Sequence, residues 1–191
     1  MLSKGSEGDD EALAKKIYLD HEGSSFFMSR SGIYEDYRAL NFDRRKEKDW
    51  ARERIVELLA MPISPQMLFD GSFGSLIELI KNSDDRVGLE ILIEKIEALE
   101  DEWDTISLLL IAESMLELLQ AAKHDRILYD RRLIEREKRI VARLLARSSE
   151  MKITVATIYQ EDSYMKDFLS DQHVLERIEH GRRGLERYSD I

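Results

Sequence analysis

The chain has no cysteine, and only two prolines and nine glycines among 191 residues. Without cysteine there can be no disulfide, no thiol nucleophile and no thiolate-bound metal. So little proline and glycine favours long helices over a sandwich of many short strands. Nothing indicates an oxidising compartment, and we therefore expect a cytoplasmic protein.

Long apolar runs are also missing. The most apolar stretch, residues 105–112, has eight uncharged residues between Asp104 and Glu113, whereas a membrane-spanning helix needs about 20. We expect a buried helix at this position and no membrane association. The first residues are polar and mostly acidic, without the apolar centre of a signal peptide, so residues 1–15 are predicted to form a flexible acidic tail.

The catalytic motifs that can be recognised from their spacing are absent. The chain has no glycine-rich phosphate loop, no dinucleotide-binding glycine fingerprint, no HExxH and no GxSxG. No glutamate stands three residues before any of the four histidines, which removes the signature of helical di-iron proteins. We expect no cofactor, and these absences together weigh against an enzyme.

Helical periodicity is the main positive signal. Apolar residues recur at helical spacing over residues 73–119, and residues 106–111 are apolar nearly all round, as in a helix at the centre of a core. Successive helices with short connections are typical of a multi-helix bundle or stacked helical hairpins. The sequence therefore predicts a mainly α fold with a single helical domain over residues 16–191.

Two segments favour β structure instead. Residues 17–19 and 26–28 are β-prone and flank the turn-forming residues 21–24, which predicts a small N-terminal β-hairpin in a subdomain over residues 16–42. Residues 152–159 are crowded with β-branched side chains. They are a candidate third strand, with a helix as the alternative.

Charge is unevenly distributed along the chain. The formal net charge is -10, with -12 on residues 1–122 and +2 on residues 123–191. In the second part, five arginines at helical spacing form one row about 22 Å long, which we call the arginine stripe. Its members are Arg132, Arg136, Arg139, Arg143 and Arg147. Two explanations stay open. The stripe either pairs with the acidic helices around residues 94–104 of the same fold or is merely solvated, or it binds a partner.

The arginine stripe leads to two functional hypotheses. The first is a non-enzymatic protein–protein interaction or regulatory domain that binds an unidentified protein partner through charged helical surfaces. The alternative is a nucleic-acid-associated accessory protein that holds phosphates with the stripe. The sequence supports the alternative less well, because Tyr129 is the only nearby ring and no motif for reading bases is recognised. A homodimer is also open, since two-fold pairing is the commonest assembly.

A third hypothesis is a metal-dependent enzyme. His173, Glu176 and His180 follow one another at i, i+3 and i+7 and share one face of a predicted helix. Two imidazoles and a carboxylate suit a divalent transition metal. The same spacing also recurs by chance on polar helices, where such residues cap the helix or form ion pairs.

Overall fold

The computed structural model describes residues 7–99, 103–124, 131–150, 153–156 and 170–188. These residues form ten helices and no strand, which confirms the mainly α, helical-bundle class. The helices are α1 (Glu7–Asp20), α2 (Ser25–Arg30), α3 (Tyr34–Ala39), α4 (Arg44–Ala60), α5 (Pro65–Phe69), α6 (Ser72–Ser83), α7 (Arg86–Glu97), α8 (Thr105–His124), α9 (Arg131–Glu150) and α10 (Asp171–Glu186).

The predicted N-terminal β-hairpin is wrong, because residues 16–42 contribute to three helices. Ala14, Ile17 and Tyr18 are spaced at i, i+3 and i+4, and all three are buried on one face of α1. Part of the predicted acidic tail therefore belongs to α1, which begins at Glu7 and packs against α4. Ile17, Tyr18 and Met28 of the β-prone runs are buried by helix packing, so local preference is overridden.

The turn between α1 and α2 explains why this segment resembles a hairpin. Glu22 takes a left-handed conformation with φ 55°, and the following Gly23 has φ 70°. The amide of Gly23 donates to the Tyr18 carbonyl at 2.9 Å, which ends α1 in a Schellman turn. Ser24 then caps α2 by accepting from the Phe27 amide at 3.3 Å. The same small and flexible residues serve a hairpin turn or a helix end.

The candidate third strand is not formed by residues 153–156, the part of 152–159 that the structure describes. The Thr154 amide donates to Thr105 Oγ1 at 3.0 Å, and the Thr105 amide donates to the Thr154 carbonyl at 3.1 Å. These bonds satisfy polar groups at the start of α8, where the first amides of a helix have no intrahelical partner. Residues 152 and 157–159 lie outside the described residues.

Helix α8 lies at the centre of the core, as its apolar character predicted. It packs against α5, α6, α9 and α10, and side chains on several of its faces are fully buried. These include Ile106, Leu108, Leu109, Ile111, Ala112 and Met115. Among the described residues, no helix is both long and apolar enough to cross a membrane.

Helices α4 and α7 approach closely at Gly88. A Cβ atom on Gly88 would lie 2.8 Å from Cγ2 of the buried Ile55. We expect Gly88→Ala to lower the free energy of unfolding by about 1–2 kcal/mol, because overpacking outweighs the gain in helix propensity. Urea denaturation measures this change.

A matched control is Gly74→Ala in α6. A Cβ atom there would meet no atom within 4 Å, so this variant is expected to be neutral or up to about 1 kcal/mol more stable. Equal stabilisation by both substitutions would show that α4 and α7 have room for the methyl group.

Candidate functional site

Helix α9 carries the arginine stripe opposite a buried apolar face. Leu133, Ile140, Val141 and Leu144 are buried, and α9 packs against α7, α8 and α10. The residues of the stripe fall on the other side of the helix, as the 3.6-residue period requires. Packing of the apolar face therefore fixes the direction in which the arginines project.

Two arginines of the stripe are engaged by α7. Arg136 binds the Glu97 carboxylate through two guanidinium nitrogens, at 2.7 Å and 3.4 Å. Arg143 donates to the carbonyls of Ile96 at 3.0 Å and Glu97 at 3.4 Å, at the C-terminal end of α7, where the helix dipole favours a cation. The hydrogen bond from Arg136 lowers the pKa of Glu97, and the charges of Arg143 and Arg139 act in the same direction.

The other three arginines differ in exposure. Arg147 is half-buried and has an interaction within the chain, whereas Arg132 and Arg139 are exposed. Of the predicted acidic neighbours, Glu97 pairs with the stripe, and residues 100–102 lie outside the described residues. The stripe is thus divided between contacts that hold α7 to α9 and guanidiniums that face solvent.

A groove of about 680 Å³ lies between α9 and α10, and we call it the α9–α10 groove. Its apolar lining residues are Ala142, Leu145, Ala146 and Leu185. The absence of a side chain on Gly181 brings α10 close to α9, since a Cβ there would lie 2.9 Å from Cδ2 of Leu145. Close packing below the groove therefore depends on this glycine.

The rim of the α9–α10 groove is charged, with Lys138, Arg139 and Arg182 beside Glu135 and Glu186. Lys138 forms an ion pair with Glu135 at 3.1 Å. Arg182 donates to the Ser149 hydroxyl at 2.7 Å. Neither Arg139 nor Arg182 forms an ion pair with a carboxylate of the described residues. Two cations at the rim are consequently available to an external anion.

The candidate metal ligands all lie on α10. The His173 amide donates to the capping Ser170 hydroxyl at 3.3 Å, and Glu176 accepts from Gln172 at 2.7 Å. His180 lines a separate cavity between α8 and α10. In the described part of the chain, no three His, Asp or Glu side chains are arranged to hold a metal ion. The structure therefore does not bring the three residues together as a ligand set.

Sequence reasoning missed Glu137, which lies on the apolar face of α9. Its side chain is 0% exposed, and no group in the described residues forms a hydrogen bond with either carboxyl oxygen. Burial raises its pKa well above 4.5, which favours the neutral acid. The sequence did contain a signal for its burial, because Glu137 lies one helical turn from both Leu133 and Val141, on the buried side of the helix.

No protein-family model matches this chain, and neither a curated protein nor a solved structure is significantly similar to it.

Proposed function

We propose that this protein is a non-enzymatic interaction domain that binds an amphipathic helix of a partner protein in the α9–α10 groove. The partner helix places apolar side chains on the groove floor and acidic side chains against its rim. The observation that carries the proposal is an apolar floor bordered by two arginines, neither of which forms an ion pair with a carboxylate of the described residues.

The floor supports a helical occupant because of its small side chains. Ala142 and Ala146 are one turn apart on α9, so a second helix can approach the backbone closely between the longer side chains. Leu185 provides apolar surface beside them, and the buried Leu145 lies below. Helix-in-groove complexes use this geometry, with anchors at i, i+3, i+4 and i+7 of the bound helix.

The rim supports an acidic occupant in spite of the net charge of -10. Charges more than about 8–10 Å away are largely screened at physiological salt. The field at the groove is therefore set mainly by its own rim, where three cations outnumber two carboxylates. Protein carboxylates fit this arrangement better than a nucleic-acid backbone does. A backbone requires a row of available cations, and Arg136 and Arg143 are occupied by α7.

Fluorescence anisotropy with a labelled amphipathic peptide tests the proposal. The peptide has leucines along one helical face and glutamates beside them, and a matched peptide has lysines in place of the glutamates. We expect the acidic peptide to bind with an affinity that falls with salt. The double variant Arg139→Glu/Arg182→Glu is expected to weaken binding about tenfold or more.

The control is Arg30→Glu/Arg45→Glu, which changes the net charge equally at exposed positions outside the groove. This variant should bind the acidic peptide nearly as well as the wild type. Equal affinity for the two peptides, or equal losses in the two double variants, would contradict recognition at the α9–α10 groove.

A further inference from the structure

Another cavity lies among the first four helices, far from α9 in sequence. It has a volume of about 360 Å³, and its lining is rich in tyrosine. We call it the tyrosine pocket, and the side chains that matter to its chemistry are Tyr18, Tyr34, Tyr37, Arg38, Asn41 and Glu47. Helices α1, α3 and α4 each contribute at least one of them. The pocket is therefore assembled by the fold and not by one local motif.

Glu47 gives the pocket a carboxylate whose capacity to accept hydrogen bonds is only partly filled by the described residues. Its Oε1 accepts a hydrogen bond from the Tyr37 hydroxyl at 2.6 Å. No hydrogen bond from the described residues reaches Oε2. A carboxylate can accept about four hydrogen bonds, so this side chain has capacity left for a donor from a ligand.

Tyr18 places a second oxygen in the same cavity. Its ring centroid is 6.4 Å from that of Tyr37. A Cβ atom on Gly23 would lie 2.7 Å from the Tyr18 hydroxyl oxygen, so the glycine leaves the space that this hydroxyl occupies. The hydroxyl has no hydrogen-bond partner among the described residues. It is available to a ligand.

Both phenols are neutral near pH 7, and their surroundings reinforce this state. Burial and then the charge of Glu47 raise the pKa of Tyr18 to about 12. Burial and the hydrogen bond to Glu47 raise the pKa of Tyr37 as well. The one cationic side chain in the lining, Arg38, has its guanidinium carbon 5.8 Å from the Tyr34 ring centroid and is 63% exposed. The interior of the pocket thus combines one carboxylate with neutral hydroxyl groups.

We propose that the tyrosine pocket binds a small protonated primary amine. The three N–H donors of its ammonium group match three acceptors, namely Glu47 Oε2 and the hydroxyl oxygens of Tyr18 and Tyr37. The surrounding tyrosine rings add cation–π attraction. Arg38, at the exposed side, repels the bound cation and limits its affinity.

Trp50 provides the readout. Its ring contacts Tyr18 at a centroid distance of 6.0 Å and Phe42 at 5.5 Å, both edge to face, so its emission responds to changes in the pocket. The chain has one other tryptophan, Trp103, which Trp103→Phe removes. In this background we expect n-butylammonium chloride to change the emission saturably, whereas the uncharged n-butanol and equal sodium chloride do not.

Variants distinguish binding in the pocket from a general salt effect. Glu47→Gln should weaken butylammonium binding about tenfold or more, since it removes a charge-assisted hydrogen bond. Tyr18→Phe, which leaves the bond between Tyr37 and Glu47 intact, should weaken it several-fold. Arg38→Ala should strengthen it. The control Asp36→Asn lies on the exposed side of α3, outside the lining, and should leave it unchanged.

Several results would overturn the proposal. They are the absence of a saturable response to butylammonium, an equal response to butanol or sodium chloride, and equal affinities of Glu47→Gln and Asp36→Asn. Circular dichroism of each variant establishes that it is folded. None of these measurements involves the α9–α10 groove, so the two proposals succeed or fail separately.

Discussion

Replacing Glu137 with methionine is expected to raise the free energy of unfolding at pH 7 by about 2–4 kcal/mol. The wild-type carboxyl is fully buried and has no hydrogen-bond partner in the described residues, so folding removes it from water without compensation. Methionine has a similar length and no polar group that needs a partner, and its flexible chain adapts to the existing space. Urea denaturation of the two proteins measures the difference.

The effect should depend on pH in a way that identifies its cause. In the unfolded chain the carboxyl loses its proton near pH 4.5, whereas burial raises the pKa of the folded state well above this value. Below pH 4.5 the carboxyl is mostly protonated in both the folded and the unfolded state, so its contribution to the stability of the wild type is then at its most favourable. The wild type loses about 1.4 kcal/mol per pH unit from there up to the folded pKa. The advantage of Glu137→Met should widen over the same interval.

Glu135→Met is the matched control on the same helix. The Glu135 side chain is 50% exposed and pairs with Lys138 at the surface, so its replacement should change stability by less than about 1 kcal/mol. If Glu137→Met were less stable than the wild type at pH 7, the result would show that the carboxyl forms a hydrogen bond with another group or with water in solution.

The helical class could be predicted because apolar periodicity follows directly from burial. Residues 106–111 are apolar nearly all round the helix, and a helix covered on several sides accommodates that pattern. The prediction of a β-hairpin in the N-terminal segment was wrong for a local reason. The glycine and serines of this segment are compatible with a hairpin turn and with a helix end, and the choice was decided by packing of Tyr18 and Ile17 against the core.

The sequence predicted functional residues only where they lie on the same helix. The sequence placed five arginines on one side of α9, but it did not show which helix lies beside them. Arg136 and Glu97 are 39 residues apart, and their pairing depends on how α7 packs against α9. The tyrosine pocket was not predicted at all, because its members come from separate helices and become neighbours only in the folded chain.

Asp85→Ala should lower the free energy of unfolding by about 2–3 kcal/mol. Asp85 is 6% exposed and caps α7 by accepting from the Gly88 amide at 3.0 Å. The same carboxylate receives two hydrogen bonds from Arg52 of α4, both at 3.3 Å. Alanine removes the cap, the negative charge at the start of α7 and the link to α4 together. Urea denaturation measures the loss.

Two conservative substitutions separate these contributions. Asp85→Asn keeps an effective capping group and loses the charge, so it should cost about 1 kcal/mol, clearly less than alanine. Asp84→Asn removes the same charge from the neighbouring residue. Asparagine tolerates the left-handed backbone conformation of position 84, and the partners of Asp84, Arg44 and Lys48, are exposed. It should cost less than about 1 kcal/mol. If Asp85→Ala were no worse than Asp84→Asn, neither the cap nor the link to Arg52 would stabilise the junction of α4 and α7. The close approach at Gly88 would then depend on apolar packing alone.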